Sequence, residues 1–245
     1  MKIHSSFYKK VSTLIGVASL WFYILSSFLD SFLIQRVSTA ILLISMFWWY
    51  HDQEHRPSKL FDHFIITFVV GFVFFTLSQM EVIDTYWVAF LIWSISTGIL
   101  TVSIFPNVDF RKLNRVVYIL GAILLLFNMY LMYSAMLLLA PQFGGFEVFC
   151  IVALGIMQVV FITLSALYYL LSGSDKSRTM MICAVTHAFS LLLAGITFFY
   201  HENVFLTILT RMLFLSFLIA FYFYVTNVEV PKFNMDLDND SSSTP

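Results

Sequence analysis

No aspartate or glutamate falls inside any long apolar stretch of this 245-residue sequence; all fourteen acidic residues lie in loops, at the ends of stretches or in the C-terminal tail. That absence takes away the carboxylates on which intramembrane proton relays and cation-coupled transport depend. No His/Cys/Asp/Glu group has metal-ligand spacing, so no metal site is expected. Gly-rich phosphate loops and HExxH or GxSxG motifs are missing too, so no cofactor is expected. The two cysteines, Cys150 and Cys183, sit within apolar stretches and do not make a disulfide framework. Of five prolines, Pro57, Pro106 and Pro141 fall between stretches and Pro231 and Pro245 in the tail. The interrupted helices that mark many transporter sites are therefore not indicated. A net charge of -1 with only 11% charged residues gives no nucleic-acid surface.

What remains is hydrophobic. The apolar fraction is 60% and the mean hydropathy +0.88, too high for a soluble core of this size. Eight stretches follow one another: Val11 to Phe28, Phe32 to Tyr50, Phe64 to Leu77, Tyr86 to Phe105, Val116 to Ala140, Val148 to Leu171, Met180 to Tyr200 and Val204 to Tyr224. Most can cross a hydrocarbon core of about 30 Å at about 1.5 Å per residue. Lys2, Lys9 and Lys10 precede the first stretch. Arg56 and Lys59 follow the second, Arg111, Lys112 and Arg115 the fourth, Lys176 and Arg178 the sixth, and Lys232 the eighth. The intervening gaps hold no Lys or Arg. Basic residues stay in cytoplasmic loops, so the alternation predicts an all-α, polytopic membrane protein with eight transmembrane helices and both termini cytoplasmic.

Three segments are expected: a cytoplasmic N-terminal segment over 1-10, the eight-helix transmembrane domain over 11-226, and a disordered acidic cytoplasmic tail over 227-245. The first stretch has the n-region and h-region of a secretory signal without a convincing cleavage site, which reads as a retained signal anchor. Aromatic residues at the ends of stretches (Trp48, Trp49 and Tyr50; Tyr86 and Trp87; Tyr168 and Tyr169; Phe221 to Tyr224) match interfacial belts.

Polar groups buried in a bilayer have no water to satisfy them, so they face the bundle interior and become the candidates for function. Arg36 and Arg211 are the only formal charges within stretches. Both fall in the outer half, about one and two turns deep. Each could snorkel outward to a carboxylate among Asp30, Glu81, Asp84, Glu147 and Glu202. Alternatively, the two guanidiniums converge on one anion entering from the outer leaflet. Nearer mid-depth are Ser94, Thr97, Asn128, Gln158, His187 and Ser190. Ser94, Thr97, Gly98 and Thr101 share one helical face, as do His187, Ser190, Ala194 and Thr197. Such stripes commonly mark close helix packing. His187 is the only intramembrane side chain able to act as acid or base near neutral pH, so with Ser190 it is the catalytic candidate, against a hydrogen-bonded structural histidine.

Eight short-looped spans of this length resemble the YhhN-like lysoplasmalogenase family, membrane enzymes that cleave the vinyl ether bond of lysoplasmalogens. By span, Arg36-Val37, Gly71-Phe72, Ser94 with Thr97, and Ser190-Leu191 stand where that family tends to carry Lys-Pro, Gly-Asp, a His followed by Tyr, and Ser-Asp. The basic residue, one Gly and one Ser are retained; the two acidic residues and the His are replaced. The resemblance implies a lipid-acting hydrolase, with His187 as the available acid. The residues themselves favour a noncatalytic multi-pass protein of the cytoplasmic or plasma membrane. It would bind a lipid, another amphiphile or a membrane partner, with Arg36, Arg211, Ser94, Thr97, Asn128 and Gln158 as ligand contacts. A small-solute transporter is the third reading.

Overall fold

The computed structural model describes residues 2–29, 31–53, 58–83, 85–139, 141, 143–199 and 203–226. Among them are eight long helices and no strands: α1 (Lys2–Leu25), α2 (Phe32–Gln53), α3 (Lys59–Gln79), α4 (Tyr86–Ile104), α5 (Arg115–Leu139), α6 (Gly145–Ser172), α7 (Asp175–Phe199) and α8 (Val204–Thr226). All eight are long and apolar enough to span a membrane. The helices overrun the apolar stretches at their polar ends. Thus α1 runs back through the segment expected to be a separate N-terminal one, and α3 begins at Lys59 rather than Phe64. Helical hydrogen bonding tolerates polar residues at the membrane edge, whereas a hydropathy window stops at them. The acidic tail lies outside the described residues.

The ends of α3 and α6 turn sharply. Gly173 adopts the left-handed conformation (φ 57°) and its N–H donates to the Tyr169 carbonyl, closing α6. Glu81 takes the same conformation after α3, with its N–H bonded to the Ser78 carbonyl.

Around the bundle the neighbours run α1, α2, α3, α4, α6, α7, α8 and back to α1. α5 is left outside this ring, leaning on α6 and touching α7. Apart from Gly121, none of its residues with described burial is buried. Two glycines set its approach: a Cβ on Gly121 would stand 3.1 Å from Leu167, and one on Gly155 would stand 2.7 Å from the Met132 sulfur.

The α1–α2 pair is held by a ladder the hydropathy pattern does not reveal. Ser12, Ser19 and Ser26, seven residues apart on α1 and the turn that follows it, meet Asp52, Ser45 and Ser38, seven apart on α2. The Ser19–Ser45 and Ser26–Ser38 hydroxyls are 2.6 and 2.7 Å apart. A seven-residue period keeps one seam of two helices in contact, and small hydroxyl residues let their backbones come close.

Several residues expected in interfacial belts are core residues instead. Tyr50 is 1% exposed; its ring packs on Phe61 at 4.0 Å and its hydroxyl accepts the Ser58 N–H. Tyr168, Phe221 and Tyr224 are also buried, and Trp49 stacks on Tyr222 at 4.7 Å. The end of the bundle carrying the termini is thus closed by aromatic packing, while Trp48 keeps the exposed position expected of an anchor.

Candidate functional site

The opposite end, where α1, α3, α5 and α7 finish and the even-numbered helices begin, is hollow. A cavity of about 1070 Å³ extends from there toward mid-depth. About half of its lining is Phe, Leu, Ile and Met, and a dozen polar side chains line it too, among them Arg36, Arg211, Asn128, Gln158 and Ser190. A mainly apolar chamber with placed polar groups is the usual form of a small-molecule site.

Arg211 lies on the second turn of α8, 8% exposed. Its Nη1 donates to the Tyr23 carbonyl at 2.6 Å and to the Ser26 hydroxyl, and its Nη2 donates to the Gln35 carbonyl at 3.1 Å. Its Cζ stands 4.7 Å from the centre of the Tyr23 ring. It is therefore turned into the bundle, toward the ends of α1 and α2, rather than snorkelling to a loop carboxylate. All three hydrogen-bond acceptors are neutral, so the site supplies no formal negative charge through these bonds. Arg36 lines the same cavity from α2 and sits over Phe72 and Phe75, 5.8 and 5.4 Å from their ring centres. Tyr23 is within electrostatic reach of both guanidiniums.

Below the arginines, Trp93 closes one wall, its Nε1 donating to the Phe68 carbonyl at 3.3 Å. Gln158 lines the cavity from the middle of α6. Its Nε2 donates to the Thr97 hydroxyl at 3.1 Å, while its Oε1 is buried without a hydrogen-bond partner. Asn128 reaches the cavity from α5 and donates to its own helix at the Leu124 carbonyl.

The cavity passes beyond the ring of helices. Ala188 to Leu192 line it in unbroken succession. Five consecutive residues go right round a helix of 3.6 residues per turn, so the space lies on both flanks of α7. On the outer flank it is bounded by Leu124, Phe127, Asn128 and Leu131, which share one face of α5. This part of the cavity lies between α5 and α7.

Not all the residues singled out by sequence come together here. His187 is 1% exposed and is not on the cavity wall. Its ring stacks on Phe217 at 4.3 Å and is edged by Phe64 and Phe161, with Nδ1 lacking a hydrogen-bond partner. Ser190 lines the cavity, but its hydroxyl donates back to the His187 carbonyl. The pair therefore does not present an imidazole and a hydroxyl to a common space. Ser94 bonds to the Phe90 carbonyl and, with Thr97, is buried. Among the residues carrying the family resemblance, Arg36, Phe72, Ser190 and Leu191 line the cavity, and Gly71 packs against Trp93. Tyr23, Gln35 and Trp93 belong to the site although sequence reasoning passed over them. An aromatic within an apolar span, or an amide one turn from its end such as Gln35, carries no mark of function until its neighbours are known.

Compared with family models, with curated proteins and with solved structures, the chain matches none.

Proposed function

We propose that this protein binds an anionic amphiphile, with the carboxylate or phosphate beside Arg36 and Arg211 and the apolar part in the chamber below. The observation that carries this reading is the buried Arg211 guanidinium on the cavity wall, whose hydrogen-bond acceptors among the described residues are neutral oxygens. A cation in low dielectric attracts an anion far more strongly than one in water. The aromatic and aliphatic walls favour an apolar ligand portion by burying it away from water.

Native mass spectrometry of gently purified protein is expected to show an anionic amphiphile bound to the wild type and depleted from Arg36→Gln. Equal occupancy in the two, or a neutral ligand alone, would defeat the reading.

The orientation proposed with it puts both termini in the cytoplasm and the charged mouth in the outer leaflet, from the basic residues of alternate loops. Single cysteines placed in 106–115 and 172–174 should be labelled only from the cytoplasmic side. Those in 79–83 and 143–145 should react from outside. The reverse pattern would place the mouth in the inner leaflet.

A further inference from the structure

We propose that the anionic group is a phosphate monoester rather than a carboxylate, received by the hydroxyls of Tyr23, Ser27 and Thr207 together with Arg211. This deepens the amphiphile reading and rests on it. Seven hydroxyl side chains belong to residues that line the cavity. Those of Thr39, Ser190, Thr197 and Thr210 donate to carbonyls of their own helices at 2.8 or 2.9 Å, a common fate of hydroxyls on helices. The hydroxyls of Tyr23, Ser27 and Thr207 make no hydrogen bond to the described residues. Other buried atoms without a partner, such as Gln158 Oε1 and His187 Nδ1, are fully enclosed; these three hydroxyls are not. Tyr23 and Ser27 are nevertheless only 3% and 4% exposed.

The three unspent hydroxyls surround one guanidinium. Arg211 Cζ is 4.7 Å from the centre of the Tyr23 ring, and Ser27 follows the Ser26 that accepts from Arg211 Nη1. Thr207 stands one turn before Arg211 on the same face of α8. A guanidinium has five N–H donors; Arg211 has three acceptors, in Tyr23, Ser26 and Gln35, which leaves at least two N–H groups. Two N–H and three O–H groups exceed the roughly four lone-pair sites of a carboxylate. The three terminal oxygens of a phosphate monoester can accept them all. A donor left over beside a carboxylate would be desolvated without a partner.

The test uses full-length protein in dodecyl maltoside, a detergent without phosphate, and calorimetric titration with oleyl phosphate, oleate or inorganic phosphate. The first two differ chiefly in the head group. In the wild type oleyl phosphate should bind about tenfold more tightly than oleate. Tyr23→Phe, Ser27→Ala and Thr207→Val should each cut that ratio about two- to fivefold, and the triple variant should abolish it. Thermal unfolding checks each variant, and the single variants decide if the triple one does not fold. A wild type that binds the two equally, or a ratio unchanged in the folded variants, overturns the phosphate assignment. The amphiphile reading then stands so long as oleate binding depends on Arg211. Inorganic phosphate binding as tightly as oleyl phosphate would overturn the amphiphile reading and leave a site for free phosphate. Neither amphiphile binding the wild type, or both binding Arg211→Leu equally well, overturns both.

Discussion

Arg211→Leu is expected to lower affinity for an anionic amphiphile by about a hundredfold while changing folding stability by only about 1 kcal/mol. The first half follows from losing a buried cation whose hydrogen bonds to an anion are charge-assisted. The second half follows from what its acceptors keep. The Ser26 hydroxyl donates to the Tyr23 carbonyl at 2.8 Å and Thr39 to the Gln35 carbonyl at 2.9 Å. The single Ser38 proton then serves the Ser26 oxygen 2.7 Å away. Removing Arg211 therefore strands no acceptor and also removes the cost of desolvating a charge. Ligand titration and chemical unfolding in the same detergent check the two halves. A collapse of stability with Arg211→Leu would make the residue a structural clamp and remove the ground for an anion site.

Gly71→Val is expected to destabilise the fold by about 2–3 kcal/mol and to deform the chamber. A Cβ at Gly71 would stand 2.7 Å from both Cδ1 and Nε1 of Trp93. The indole cannot readily yield: it bonds to the Phe68 carbonyl and packs against Phe68 and Phe75 at 5.8 and 5.1 Å between ring centres. Denaturant unfolding reads the loss, and Trp93 emission reads the displaced ring. An unchanged midpoint would mean that α3 and α4 can separate at this level without penalty.

The helices were legible because each span is a continuous apolar run and the basic residues punctuate every other gap. The depth of Arg36 and Arg211 was legible for the same reason, since depth follows from position along a span. Rotation was not. Ala188 and Ser190 line the cavity while His187 packs among phenylalanines. His187 lies on nearly the same face as Leu191 one turn further on, which does line the cavity. The packing of neighbouring helices at each level therefore separates those fates, and no pattern in a span apolar on nearly every side specifies it. The exclusion of α5 from the ring was equally hidden. Its apolar character matches that of the other spans, and only the packing shows that Gly121 alone among its residues with described burial is buried. The aromatic ends misled for a related reason: Tyr50 and Tyr224 have the composition of anchors but rest in the core, where Tyr50 finds a backbone donor for its hydroxyl.

The serine ladder between α1 and α2 has a consequence for how the protein meets bilayers of different thickness. A slide of α1 along α2 by less than a full seven residues would separate Ser12, Ser19 and Ser26 from all three partners at once, leaving polar groups in hydrocarbon. Thinner or thicker membranes must then be accommodated by tilting the pair as one body. The Tyr23 and Gln35 carbonyls would keep their relative level through that tilt, and the guanidinium they hold would keep its place. Among the described residues α5 has no such rungs, so mismatch would be absorbed there first, and the width of the gap between α5 and α7 would follow lipid chain length.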